Sequence, residues 1–400
     1  MGGGVTWRSS DGTIELFSGD CRDVLRELDE ASIDACVSDP PYGLEFMGKG
    51  WDHGVPGVEY WTEVFRVLKP GAPLLTFGGT RTYHRLACSI EDAGFQIRDC
   101  MMWLYGSGFP KSHNIPIAID KRAGAMGHRG KAHHAYAHGN DFQGRDLAKP
   151  EALDEHEPIT DGAKRFAGYG TALKPAYEPV IVAMKPVDGS FAANAVEHGV
   201  AGLNIDACRI TTDSDTRRNS AGGENGLTGT STFRIRARRV EDKKKHSGRW
   251  PSNVVLDEEA AKLVDAQSGE TTSGSRKAGG PEVVGNFGGA SRFFYIAKAS
   301  AAERDAFNRH PTVKPIALMR YLIKLVAPPG GGVILDPFMG SGSTGLAAYF
   351  EGSRFVGVEL ERPSFETAVA RFRERAILAD ELSDDADIEP ETDDRQGRLF

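Results

Sequence analysis

Asp39-Pro40-Pro41-Tyr42 is the stretch of this chain best equipped for chemistry. It follows Ser32-Ile33-Asp34-Ala35-Cys36-Val37, an apolar-rich run that reads as a buried strand. The motif therefore sits at a strand's carboxyl end, where open α/β sheets bind ligands. Proline fixes φ, removes a backbone donor and restricts the residue before it. The Asp39 carboxylate and the Pro40 carbonyl are thus expected to be held as two acceptors, with Pro41 rigid behind them and Tyr42 offering a flat face alongside. An acceptor pair beside a stacking ring suits a planar group that carries an NH2, such as a nucleobase. The plain alternative is a strand ending in a proline turn, with Asp39 as its cap.

A second constellation lies near the other end. Val333-Ile334-Leu335 reads as a short apolar strand, followed by Asp336-Pro337-Phe338-Met339-Gly340-Ser341-Gly342-Ser343-Thr344-Gly345, a glycine loop that opens a helix. Phe355-Val356-Gly357-Val358 is a further strand and ends on Glu359. Strand, glycine loop, helix, strand and acid make a nucleoside-binding half-site: glycines admit close backbone approach, and the acid can hold ribose hydroxyls. The loop matches G-x-G-x-x-G, and no Lys follows its last glycine, so it is no phosphate-binding P-loop. A bare turn between strand and helix is the alternative. A carboxylate at Asp336 would repel a pyrophosphate and attract a sulfonium, which favours S-adenosylmethionine over NAD.

The elements that position these motifs alternate. Strands are expected at 14–17, 32–37, 73–78, 95–104 and 174–183, and helices at 23–28, 61–68 and 83–93. Gly43 to Val58 is glycine-rich and reads equally as a mobile lid or an ordinary surface loop. Gly106 to Gly168 breaks the alternation and reads as a polar, mobile loop within the same half of the chain. Its His128, His133, His134 and His138 lack the Cys or paired carboxylate that a metal site needs, so no metal is expected. Residues 188–300 mix short patterns with turns and read as an inserted domain. Helices are expected again at 316–326 and 363–376.

Hydrophobic residues make up 40% and charged residues 26% of the 400-residue chain, a soluble globular balance. No apolar run would span a bilayer and no signal pattern opens the chain, so a cytoplasmic location without membrane contact is expected. Five scattered cysteines with no Cys-x-x-Cys pair point to reduced thiols and no zinc. The net charge of −8 is concentrated in Asp380 to Asp394, where nine acids stand without a base; 47 acids then face 48 Lys plus Arg elsewhere. That tail is expected to be disordered from about 377 to 400. Within the near-neutral body, Arg234, Arg236, Arg238, Arg239, Lys243, Lys244 and Lys245 form a basic run. Such a run is either a phosphate-binding surface or a solvated loop.

Taken together, these motifs resemble the amino-methylating DNA methyltransferases, which modify the exocyclic nitrogen of adenine or cytosine. Asp39-Pro40-Pro41-Tyr42 is similar to their catalytic motif, and Asp336 to Thr344 to their cofactor motif. The order here, catalytic motif first with a long insert between, resembles the beta group. The resemblance implies a Rossmann-like α/β sheet, circularly permuted, with an inserted target-recognition domain. Its boundaries would be 1–187 for the catalytic half, 188–300 for the recognition insert and 301–376 for the cofactor half.

The resemblance also implies S-adenosyl-L-methionine as cofactor, held by Asp20, Thr312, Lys314, Asp336, Pro337, Phe338, Gly340, Gly342, Thr344 and Glu359. Double-stranded DNA would be the partner, and a homodimer or a cognate restriction endonuclease is left open. Asp at the first motif position leans towards N6 of adenine. Alternatives are N4 of cytosine, RNA or a protein glutamine, and, outside that chemistry, an NAD-dependent oxidoreductase or a silent DNA-binding protein.

Overall fold

The computed structural model describes residues 5–43, 54–108, 112–125, 157–210, 248–273, 286–297 and 314–384. In chain order the strands and helices are β1 (Val5–Arg8), β2 (Ile14–Ser18), α1 (Cys21–Glu27), β3 (Ala35–Ser38), α2 (Val58–Val67), β4 (Pro73–Phe77), α3 (Tyr83–Asp92) and β5 (Gln96–Leu104). They continue with α4 (Ile115–Arg122), α5 (Asp161–Arg165), β6 (Tyr177–Met184), α6 (Phe191–His198), β7 (Val254–Asp257), α7 (Glu258–Ser268), β8 (Thr271–Ser273), β9 (Asn286–Gly288) and β10 (Tyr295–Ala297). The last are α8 (Ile316–Val326), β11 (Val333–Asp336), α9 (Ser343–Phe350), β12 (Arg354–Glu359) and α10 (Arg362–Asp384).

A ten-stranded sheet runs in the order β1-β2-β12-β11-β3-β4-β6-β5-β7-β10. From β2 to β4 all neighbours are parallel, whereas β6 is antiparallel to both β4 and β5. The fully buried strands explain the near-continuous apolar runs: all four residues of β3 and of β11 are buried. Alternation still assigns each side chain a face. Ala35 and Val37 join the core under α8, α9 and α10, and Cys36 joins the core under α1, α2 and α3.

The feature that matters for the site is the junction of β11 and β3. They are hydrogen-bonded neighbours although about 300 residues apart in sequence. From β3 the chain goes on to β4 on one side; from β11 it goes on to β12 on the other. This is a topological switch point, where a crevice opens beyond the strands' carboxyl ends.

Two boundaries differ from the sequence expectation. The described parts of 188–297 form no separate unit, because β7 pairs with β5 and β10 with β7, extending the main sheet. Val255 and Leu256 are buried there, and so short a run is easily passed over in a turn-rich stretch. The separate compact unit is instead Ser107–Ala176. In it, buried Asp120 of α4 accepts from the Ile159 and Thr160 N–H groups at 2.9 and 3.0 Å and from the Thr160 hydroxyl at 2.6 Å, and so anchors the start of α5. The last helix also runs further than expected, to Asp384, into the acidic segment. No described helix is long and apolar enough to cross a membrane.

Candidate active site at the carboxyl edge of the sheet

Asp39 directly follows β3, and its carboxylate is gripped on both oxygens. The Tyr42 hydroxyl lies 2.8 Å from Oδ1 and the Lys314 ammonium 2.7 Å from Oδ2. Glu178, from the start of β6, closes the group. Its Oε2 is 3.0 Å from the Tyr42 hydroxyl and 3.1 Å from Lys314 Nζ. Lys314 also lies 3.1 Å from the Tyr42 oxygen, so its three protons meet three acceptors. Burial alone would lower the lysine pKa, but the charges of Asp39 and Glu178 outweigh it and hold Lys314 above its usual value. Burial and the same two carboxylates push the Tyr42 phenol well above its usual value, so it stays a neutral donor. The turn is braced from the start of α3 as well: the Thr82 hydroxyl, just before that helix, donates to the Tyr42 carbonyl at 2.6 Å.

One strand over, Asp336 is 1% exposed. Its Oδ1 accepts from the Ser38 hydroxyl at 2.6 Å and the Phe338 N–H at 3.1 Å, and its Oδ2 from the Thr344 hydroxyl at 2.6 Å. Burial pushes its pKa up to about 6 against those donors. It therefore joins β3, the glycine loop and α9. Arg371 of α10 supports the loop from below, donating to the Ser341 carbonyl at 2.6 Å.

The glycines divide by purpose. A Cβ on Gly345 would meet Phe355 at 2.5 Å, and one on Gly342, whose φ is +82°, would meet Ala368 at 3.1 Å. Those two admit helix packing. Gly340, at φ +54°, faces open space, and its N–H donates to Glu359 Oε2 at 2.8 Å. Glu359 also accepts from the Glu361 N–H at 2.7 Å, and burial lifts its pKa to about 7. Beyond β2, Asp20 caps α1 through the Arg22 N–H at 2.9 Å and pairs with the Arg22 guanidinium at 2.6 Å; that side-chain bond, working against burial, holds its pKa below the usual range.

The order β2-β12-β11-β3 therefore sets Asp20, Glu359, Asp336 and Asp39 at successive strand ends. At about 4.8 Å per strand this row spans roughly 14 Å. A pyrophosphate would be repelled along it. A cationic ligand with hydroxyl donors would be accepted.

The family model described as DNA methylase, covering N6 and N4 amino-methyltransferases, matches residues 33–370. The chain belongs to this family. S-adenosyl-L-methionine is the methyl donor. Among curated relatives, the type II methyltransferase M.HindIII of Haemophilus influenzae is 22% identical over 89% of this chain and 94% of its own length. Among solved structures, an M1.HpyAVI–SAM complex is 16% identical with a TM-score of 0.39, covering 90% of this chain and 99% of that one. PvuII DNA methyltransferase, cytosine-N4-specific, is 13% identical with a TM-score of 0.43, covering 92% of this chain and 88% of that one.

The residues present in this methylase fit such a donor: Gly340 leaves room, Glu359 keeps lone pairs for hydroxyls, and Phe338 is half-buried against Tyr60 and Trp61 at ring distances of 5.9 and 6.1 Å. Several of the expected site residues have partners within the protein. Lys314, expected in the cofactor pocket, sits on Asp39. Asp336 and Thr344 are buried on one another, and Pro337 is buried, so these three shape the loop from inside. Tyr42 holds Asp39 through its hydroxyl, in addition to the ring face foreseen. Glu178, Ser38 and Arg371 were missed. An acid opening an otherwise apolar strand, Tyr177 to Met184, was the only signal for Glu178. Thr312, the basic residues Arg234 to Lys245, the four histidines and residues 44–53 of the expected lid lie outside the described residues. Ile210 and Arg249, which flank the basic segment, pair across its ends at 3.0 and 2.8 Å.

Proposed function

We propose that this chain transfers a methyl group from S-adenosyl-L-methionine to N6 of adenine at a specific site in duplex DNA. The observation that carries the reading is the Asp39 carboxylate, held by Tyr42 and Lys314 at the end of β3, one strand from the open Gly340 loop. When bound, S-adenosyl-L-methionine supplies an electrophilic methyl group. Gly340 and Glu359 would hold its nucleoside end, with Phe338 and Asp20 at the rim.

An aromatic amino group is a poor nucleophile because its lone pair is delocalised into the ring. Hydrogen bonds from the NH2 to the Asp39 carboxylate and the Pro40 carbonyl localise that pair on nitrogen. The Asp39 oxygens can accept more than one donor each, so the base joins Tyr42 and Lys314 there. The remaining acceleration is positioning of two bound reactants. The base is unreachable inside a duplex, so it is flipped out, and Tyr42 offers its ring face for stacking. Phosphate contacts from the Arg234 to Lys245 run would offset the few kcal/mol of unstacking.

The test is transfer from labelled S-adenosyl-L-methionine to unmethylated genomic DNA, followed by digestion to nucleosides and mass spectrometry. N6-methyladenine with the wild type and none with Asp39→Ala is the expected result. N4-methylcytosine would overturn the choice of base and leave the site's chemistry in place. Label in RNA or protein alone would overturn the DNA substrate.

A further inference from the structure

Methylation of an amino nitrogen leaves a proton to be removed, and the geometry points to where it goes. We propose that Glu178 is the proton acceptor for the transfer, reached from Asp39 through the Tyr42 hydroxyl. This rests on the amino-methylation reading above.

In the transfer, the nitrogen lone pair forms the N–C bond, and the pair of the donor's C–S bond returns to sulfur. The methylated nitrogen then carries one proton too many. It passes that proton to the Asp39 carboxylate to which it is already hydrogen-bonded. Tyr42 holds a single hydroxyl proton between two carboxylates, 2.8 Å from Asp39 Oδ1 and 3.0 Å from Glu178 Oε2. It gives that proton to Glu178 as it takes the one on Asp39. The phenol is unchanged at the end, and Glu178 is protonated.

Charge and access single out Glu178 within the cluster. Asp39 follows the end of β3, Lys314 lies just before α8, Glu178 comes from β6, and Tyr105, which senses the charges of both Glu178 and Lys314, follows the end of β5. Lys314 already carries its full set of protons and is 8% exposed, so it takes none. Tyr105 is raised to about 12, first by burial, and stays neutral. Two ionised carboxylates against one ammonium leave the cluster one negative charge in excess, which a single proton neutralises. The Asp39 and Glu178 side chains are 23% and 22% exposed in the free protein; the target base covers Asp39 when it binds, which leaves Glu178 as the outlet to water. In a purely structural cluster a neutral Gln at 178 would serve Lys314 and Tyr42 as well.

Glu178 acts through other residues and is a positioning and relay group, so its test needs more than loss of rate. Single-turnover methylation of duplex DNA is measured from pH 5.5 to 9 for the wild type, Glu178→Gln, Glu178→Asp, Tyr42→Phe and the Tyr42→Phe/Glu178→Gln pair. Cofactor and DNA affinities are measured alongside. The relay predicts at least a tenfold slower step for Glu178→Gln, with affinities within twofold of wild type. It predicts partial recovery in Glu178→Asp, and a double variant no slower than the slower single one. The acid limb of Glu178→Gln moves to lower pH, because the site loses one of its two carboxylates. An unchanged rate in Glu178→Gln overturns the relay alone. So does a rate loss equal in Gln and Asp variants with the acid limb unmoved, which is the signature of simple bracing. A wild type that methylates no DNA overturns the functional reading, and the relay with it.

Discussion

Lys314 Nζ lies 2.7 Å from Asp39 Oδ2, joining the segment before the cofactor loop to the catalytic motif 275 residues earlier. The ammonium is buried and serves Asp39, Tyr42 and Glu178 together. Removing one member of a buried ion cluster leaves the others uncompensated, at a cost of about 3–5 kcal/mol. Lys314→Met is therefore expected to lower unfolding free energy by that amount in urea titrations. It is also expected to abolish most turnover while leaving S-adenosyl-L-methionine affinity within a few-fold of wild type. A cofactor affinity that collapses while stability holds would return Lys314 to the cofactor pocket.

Asp336 is held by hydroxyls from two distant elements, Ser38 at 2.6 Å and Thr344 at 2.6 Å. Each donor lost leaves a buried carboxylate short of a partner, for about 1–3 kcal/mol. The sign with pH is set by the raised pKa of about 6 against an ordinary 3.8. The folded state prefers the protonated acid, so this group's contribution is fully present below about pH 4 and is lost as pH rises through 6. Ser38→Ala and Thr344→Val deepen that loss by raising the pKa further. Their destabilisation is expected to be larger at pH 8 than at pH 5 in thermal melts.

The two motifs were legible because each is a local signal: a buried strand, then prolines or glycines, then an acid. Their joining was not. Tyr42 meets Glu178 across 136 residues and Asp39 meets Lys314 across 275, and nothing in the spacing of Glu178 marks it beyond the acid that opens β6. The glycine loop was legible as a loop, yet the pattern could not divide packing glycines from open ones. That depends on Phe355 and Ala368, which belong to elements formed later in the chain. Strand β7 escaped because four residues in a turn-rich stretch carry too little periodicity, and only pairing with β5 fixes it.

Gly340 and Gly345 should respond differently to the same substitution. In Gly345→Ala the new methyl would lie 2.5 Å from Phe355 and 2.7 Å from Phe372, so overpacking should cost about 1–3 kcal/mol with cofactor affinity little changed. Gly340→Ala meets no atom within 4 Å, and its φ of +54° costs about 1 kcal/mol. There the methyl projects into the open space beside Glu359, so cofactor affinity should fall at least tenfold with only a small change in melting temperature. Equal effects of the two variants on binding would refute this division. Calorimetric titration and thermal melts read both quantities.

Glu359 makes cofactor binding pH-dependent. Burial lifts its pKa to about 7 in the free protein, from an ordinary 4.5. Hydroxyl donors from a bound nucleoside favour the carboxylate and lower that value. Binding should therefore release a proton near neutrality, and affinity should rise as pH increases through 7 and level off above it. Asp20, held below the usual carboxylate range by Arg22, stays ionised across that window and adds no slope. For the free protein the sign is opposite: stability falls as pH rises from 4.5 through 7, because the anion is the disfavoured form. Glu359→Gln should then be more stable than wild type at pH 8 and bind cofactor more weakly, with a flat pH profile. Calorimetry in two buffers of different ionisation enthalpy counts the protons released. An affinity independent of pH between 6 and 8 would mean that Glu359 does not face the cofactor.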